Sequence, residues 1–203
     1  LLGTALNGYL AAAIRTDHEA TSAAEAREKL AKGMAILIRE GSVSKDLKAL
    51  AEVLDENTSS FVALCTDDRN PLDIADSSIR RLIAMGRPLH HVYRAASHSA
   101  ARIFGLTDRG LLASGWRADV ALLDSLEECT VSDVVTGGRL VVPELFDARA
   151  PVAAVGLSSM KATPVTADSF IAEPRPGQNS TPVIGVRPGL ILTFREEATL
   201  AST

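Results

Sequence analysis

The chain has 203 residues, 46% of them hydrophobic and 23% charged, which is the make-up of a globular protein and excludes a disordered one. Lys and Arg number 21 against 25 Asp and Glu, a formal charge of −4, so nucleic acid is excluded as an expected partner for want of a basic footprint. No apolar run approaches a membrane span and no basic start leads into an apolar leader, so neither membrane insertion nor secretion is expected, and Cys65 and Cys129 read as free thiols in a reducing, cytoplasmic compartment.

The chain opens at Leu1 and ends at Ala201-Ser202-Thr203, just after an apolar run, Gly189 to Thr193. Both ends read as cut. Residues 4 to 15 carry Leu6, Leu10, Ala13 and Ile14 at helical spacing. After Thr16-Asp17-His18-Glu19, Ser22 and Glu25 form a capping-box pattern for the next helix. Met34 to Ile38 is a continuous apolar run that suits a buried strand. Ser44 is then expected to cap a helix with Leu47, Leu50, Ala51 and Leu54 on one face. Phe61 to Cys65 predicts a second buried strand. Asn70-Pro71 predicts the start of a helix reaching about Met85, and Pro88 the start of another that stops near Gly105.

Short buried strands alternating with amphipathic helices over residues 1–105 demand a parallel sheet with helices outside it, an α/β fold. Chemistry in such sheets sits at the carboxyl ends of strands. The polar clusters fall there: His18, then Arg39 and Glu40, then Asp67 and Asp68. After Leu106 the texture changes. Asp119 to Asp124 reads as a strand, and Val131 to Val142 as a hairpin about Gly137-Gly138. The expected organisation is therefore 1–105, then β-strands over 106–145, a linker over 146–181 rich in Pro, Ala, Ser and Thr, and the start of a further β-containing domain over 182–203.

Each polar cluster also has a structural reading. A lone His at a strand end is often structural. Asp68 beside Arg69 suits a surface pair at a helix start, and Arg39 suits an ion pair with a neighbouring acid. Adjacent carboxylates at Asp67 and Asp68 must face opposite ways or share a cation or an arginine. The functional reading rests on the three clusters closing successive strand–helix units, whose loops gather on one rim. An imidazole and a carboxylate on that rim are ligand types for Zn²⁺, Mn²⁺ or Fe²⁺.

Thr66-Asp67-Asp68-Arg69-Asn70-Pro71 resembles the segment at the last barrel strand of adenine deaminases of the amidohydrolase superfamily. Asp17-His18-Glu19-Ala20-Thr21 resembles their strand-six segment, and Ile38-Arg39-Glu40-Gly41-Ser42 their strand-seven segment. Gly115-Trp116-Arg117-Ala118-Asp119-Val120 resembles the return to the small β-sandwich of amidohydrolases. The resemblance implies the C-terminal part of a TIM-like (β/α)8 barrel followed by part of a β-sandwich. It implies a divalent metal centre, binuclear, with Mn, Fe or Zn. His18 and Asp67 would be metal ligands, Asp67 the catalytic proton carrier, and Arg39, Glu40, Ser42 and Asp68 substrate-binding residues. The implied reaction is hydrolytic deamination of adenine to hypoxanthine and ammonia, as in purine salvage. A homo-oligomer is left open. The alternatives are another amidohydrolase acting on a cyclic amidine or amide, and a non-catalytic degenerate fragment.

The sequence also departs from the family. The paired-histidine motif of the first barrel strand, a bridging acid in mid-barrel and a further histidine are not among these residues. His90, His91 and His98 lie on the helix after the barrel and are poor substitutes. The family's longer segment between Ala75 and Ile79 is replaced by Asp76-Ser77-Ser78. A part barrel leaves a sheet edge and an apolar interior uncovered, so these 203 residues alone are expected not to form a stable active enzyme.

Overall fold

A strand buried on both faces requires cover on both sides, and Ala35–Arg39 is such a strand. In the computed structural model, which describes residues 1–70, 78–147, 150–171, 175–188 and 190–200, it is the centre of a three-stranded parallel sheet. Helix α1 (Gly3–Ala11) leads to strand β1 (Thr16–Asp17). Helix α2 (Ala23–Ala31) leads to β2 (Ala35–Arg39), and helix α3 (Leu47–Leu50), extended by a 3-10 turn over Ala51–Val53, leads to β3 (Val62–Cys65). The order is β1-β2-β3, with Thr16 opposite Ala35, Ile36 opposite Val62 and Arg39 opposite Cys65. The described strands form an open parallel sheet and no closed ring, where the resemblance implied the C-terminal part of a barrel. Three strands span too little of the circumference that eight close.

The core forms where β2 and β3 meet the helices. Ile36, Ile38 and Val62 pack with Leu47, Leu50, Val53 and Leu54 on one connection and with Leu82, Val92 and Ala95 on later helices. Fully burying each such side chain contributes on the order of 1.5–3 kcal/mol. Those later helices are α4 (Ser78–Ala84), α5 (Leu89–Ala96) and α6 (His98–Ile103). Of the expected helix start at Asn70-Pro71, Pro71 lies outside the described residues, as does the closure at Asp76-Ser77.

Two helix boundaries differ from expectation. Ser44 does not cap α3. That helix begins after Asp46, and the Ser44 carbonyl instead accepts from the Gly41 amide. The single helix expected from Pro88 to Gly105 is two, broken at Ser97 (φ −129°, ψ −84°). The Ser97 hydroxyl donates to the Tyr93 carbonyl at 2.6 Å, a back-bond that competes with the helix ladder and bends it.

Strands β4 (Val120–Ser125), β5 (Thr130–Thr136) and β6 (Arg139–Leu140) form an antiparallel meander. Gly137 and Gly138 (φ +54° and +79°) make the two-residue turn between β5 and β6, a conformation that favours glycine at both positions. Asp119 braces it, accepting from the Gly137 amide at 2.7 Å while pairing with Arg117 and Arg109. Leu1–Val141 with Arg187–Ile191 form one compact unit. The second unit, Val142–Val186 with Leu192–Thr203, contains 3-10 turns at Pro143–Phe146 and Ala167–Phe170. It also contains an antiparallel hairpin of β7 (Ser180–Gly185) and β8 (Phe194–Thr199). Among the described residues no helix is long and apolar enough to cross a membrane.

Helix α2 is fixed to the sheet by charge. The Ser22 hydroxyl accepts from the Glu25 amide at 3.3 Å, while the Glu25 carboxylate reaches back to the Thr21 amide rather than to that of Ser22. The Lys29 ammonium, 3% exposed, donates to Asp17 on β1 at 2.9 Å and to Glu25 at 2.6 Å. Burial pulls the Lys29 pKa down, but the bonds to Glu25 and Asp17 outweigh it and hold it above the ordinary lysine value. Burial pushes Glu25 up, and the bonds from Lys29 and Thr21 outweigh that, leaving it below the ordinary glutamate value. Lys29→Met is expected to cost roughly 2 kcal/mol at neutral pH by removing two charge-assisted bonds. A depressed carboxylate contributes stability above its unfolded pKa and loses it as pH falls through the folded one. The gap between the two proteins should therefore narrow below the carboxylate range in urea melts taken across pH.

Candidate active site

The carboxyl ends of β1, β2 and β3 lie side by side, so the residues that follow them share one rim. His18 follows β1, Arg39 ends β2, and Asp67 follows β3 after Thr66. The His18 Nε2 atom lies 3.8 Å from Asp67 Oδ1 and 3.2 Å from Glu19 Oε1. These three side chains are partly open to solvent, at 43%, 39% and 49% exposure. Asp67 sits in the left-handed region (φ +48°), which Asp tolerates better than most residues. Its neighbour Asp68 turns elsewhere, accepting from the Val43 amide at 3.0 Å. The adjacent carboxylates therefore serve different partners.

Beneath this rim lies the Arg39 guanidinium, fully buried. Its Nε and Nη2 atoms donate to Asp46 Oδ2 at 3.1 and 2.8 Å. Its Nη1 atom donates to Glu19 Oε1 at 3.0 Å and lies 3.8 Å from Asp67 Oδ2. Burial lowers the Arg39 pKa, and the bonds to Asp46 and Glu19 outweigh it and hold it above the ordinary arginine value. Glu40 is likewise buried. It pairs with Arg81 and accepts from the Leu47 amide at 3.3 Å. Two of the four side chains expected to bind substrate, Arg39 and Glu40, are thus paired with protein groups.

The loops after β2 and β3 are laced together. Ser42 Oγ accepts from the Asn70 amide at 2.7 Å, and Arg69 Nε donates to the Glu40 carbonyl at 3.2 Å. Gly41 permits this closeness, because a Cβ there would lie 1.8 Å from Asp68 Oδ1 and 3.0 Å from the Thr66 carbonyl.

The family model described as the amidohydrolase family matches residues 3–141. The chain belongs to the amidohydrolase family. Its relatives in that family include adenine deaminase 1 of Agrobacterium fabrum, 59% identical over 198 residues, and an adenine deaminase of Methylobacterium nodulans, 58% identical over 198 residues. Each alignment covers 95% of this chain, and 34% and 35% of the respective relative. The chain spans about a third of the length of these amidohydrolases. Among solved structures, a prolidase complexed with N-methylphosphonate-L-proline matches with a TM-score of 0.51 and 20% identity, over 69% of this chain and 43% of that one. That likeness concerns the fold alone.

As an amidohydrolase site, the rim offers part of a donor set. An imidazole nitrogen and a carboxylate oxygen 3.8 Å apart can each reach a common cation at about 2.0–2.2 Å, and both suit first-row divalent ions. Among the described residues no group of three or more His, Cys, Asp or Glu gathers into a metal cage. The donors fit in kind and form a partial set. His91 is buried and His98 sits beside Trp116, with ring centroids 6.2 Å apart. Glu19 and Asp46, both partners of Arg39, were not among the expected site residues. Glu19 was visible as the acid beside His18, whereas Asp46 carried no signal, because only the folded loop brings it back to the strand end. Gly41→Ala is expected to destabilise the protein by about 1–3 kcal/mol, the usual cost of overpacking, by forcing Asp68 off the Val43 amide. An unchanged melting temperature in the variant would contradict this account of the loop contact.

Proposed function

We propose that this chain is the part of an adenine deaminase that supplies one metal-binding face and the proton carrier. The single observation that carries this reading is the approach of His18 Nε2 to Asp67 Oδ1 at 3.8 Å on the rim of parallel strands. The names of the similar proteins add the substrate. The three strands are then consecutive members of a (β/α)8 barrel, completed by residues beyond this chain, and the meander belongs to the accompanying β-sandwich.

His18 and Asp67 would hold a divalent cation, Mn, Fe or Zn, as part of a binuclear centre. When bound, such a cation supplies Lewis-acid activation of water and of the ring. The chain's own share is proton transfer. Water adds its oxygen at C6 of adenine and gives its proton to Asp67. The carboxyl then returns that proton to the departing amino group, so adenine and water become hypoxanthine and ammonia. Asp67 suits this work because its backbone turn aims one oxygen at His18 and leaves the side chain partly solvated. Asp68 and Ser42 contribute by tying the two loops into one wall.

The complete protein carrying these residues, loaded with Mn²⁺, is expected to release ammonia from adenine and not from adenosine. His18→Ala and Asp67→Asn should each lower kcat by about 10²–10⁴-fold, the range for losing a positioned acid–base group. Ammonia release at the unaltered rate in Asp67→Asn would remove the mechanism. Turnover of another cyclic amide in preference to adenine would move the substrate.

A further inference from the structure

Arg39 is, among the described residues, the guanidinium at the rim with no exposed surface, and its donors are divided unequally. Nε and Nη2 both go to the single oxygen Asp46 Oδ2, which anchors the plane of the group from the loop after β2. The remaining nitrogen, Nη1, faces the rim. It lies 3.0 Å from Glu19 Oε1, the same oxygen that stands 3.2 Å from His18 Nε2. It lies 3.8 Å from Asp67 Oδ2, while Asp67 Oδ1 faces the imidazole. One fixed positive charge thus addresses the far oxygen of Asp67 and the acid beside His18.

We propose that Arg39 is a positioning residue for the deaminase centre: anchored by Asp46, it sets through Glu19 and Asp67 where the His18 imidazole and the working carboxylate oxygen stand. A planar fork with donors at fixed angles holds Asp46 and Glu19 by hydrogen bonds while its Nη1 stands 3.8 Å from Asp67, a fixed arrangement that the single nitrogen of a flexible lysine does not reproduce. Three carboxylates around one guanidinium leave the rim net negative, which favours a divalent cation. Groups behind the ligands commonly tune metal sites in this way. The proposal rests on the reading of His18 and Asp67 given above, and it differs from a substrate-binding role for Arg39.

The test uses the complete protein, freed of metal and titrated with Co²⁺ followed by its visible absorption, alongside ammonia release from adenine. Arg39→Lys keeps the charge and loses the fork. Glu19→Gln, on a half-exposed side chain, removes one arm with little risk to folding. Arg39→Lys is expected to weaken Co²⁺ binding and to lower kcat by about tenfold to a hundredfold each, with KM for adenine unchanged, and Glu19→Gln should move both in the same direction. Unaltered Co²⁺ affinity and kcat in Arg39→Lys overturn the proposal. A raised KM with unaltered kcat also overturns it, returning the guanidinium to substrate binding. If Arg39→Lys fails to fold, Glu19→Gln decides, and an unaltered Co²⁺ titration there overturns the proposal. If the unsubstituted protein binds Co²⁺ yet releases no ammonia from adenine, the substrate reading fails and the Co²⁺ titrations still judge Arg39. If it binds no Co²⁺, both readings fall.

Discussion

A guanidinium with no access to water must be surrounded by acceptors, because an unpaired buried charge costs several kcal/mol. Arg39 meets that requirement with Asp46, Glu19 and Asp67, and much of the rim follows from it. Asp46 is drawn back against the strand end, so its amide also bonds the Arg39 carbonyl. The loop from Glu40 to Lys45 closes into a tight turn between them. Because Asp46 gives its carboxylate to Arg39, it does not cap α3 itself, and the Glu40 carboxylate accepts from the Leu47 amide instead. A local helix signal has yielded to a tertiary charge.

The same constraint divides the polar groups around the rim. Arg39, Glu40, Asp68 and Ser42 bond to protein groups across the loops after β2 and β3. His18, Glu19 and Asp67 keep partial exposure above them. Of the four that bond across the loops, only Arg39 and Glu40 are buried; Ser42 is half-buried and Asp68 exposed.

Much of this was legible in the sequence because it depends on local pattern. Apolar runs at Met34–Ile38 and Phe61–Cys65 identified β2 and β3, since a doubly covered strand has no polar face to alternate. His18, Arg39 and Asp67 were placed on one rim by the order of strand and helix alone. What stayed hidden depends on contacts between distant residues. The partners of Arg39 and Glu40 could not be read from spacing, because Arg81 and Asp46 reach them only after the chain folds back. The break at Ser97 was masked because its cause, a hydroxyl turned onto the Tyr93 carbonyl, leaves helical periodicity intact. Asp119, in the segment Gly115 to Val120, proves to be a turn brace for Gly137, which no periodicity announces.

The crossed bonds between the two loops, Asp68 to the Val43 amide and Ser42 to the Asn70 amide, mean that neither loop is an independent module. In homologous chains, a replacement at position 68 would be accommodated most readily alongside a change at 41 or 43, and one at 42 alongside a change at 70. Segments transplanted between related enzymes to alter substrate choice would accordingly have to travel as a pair.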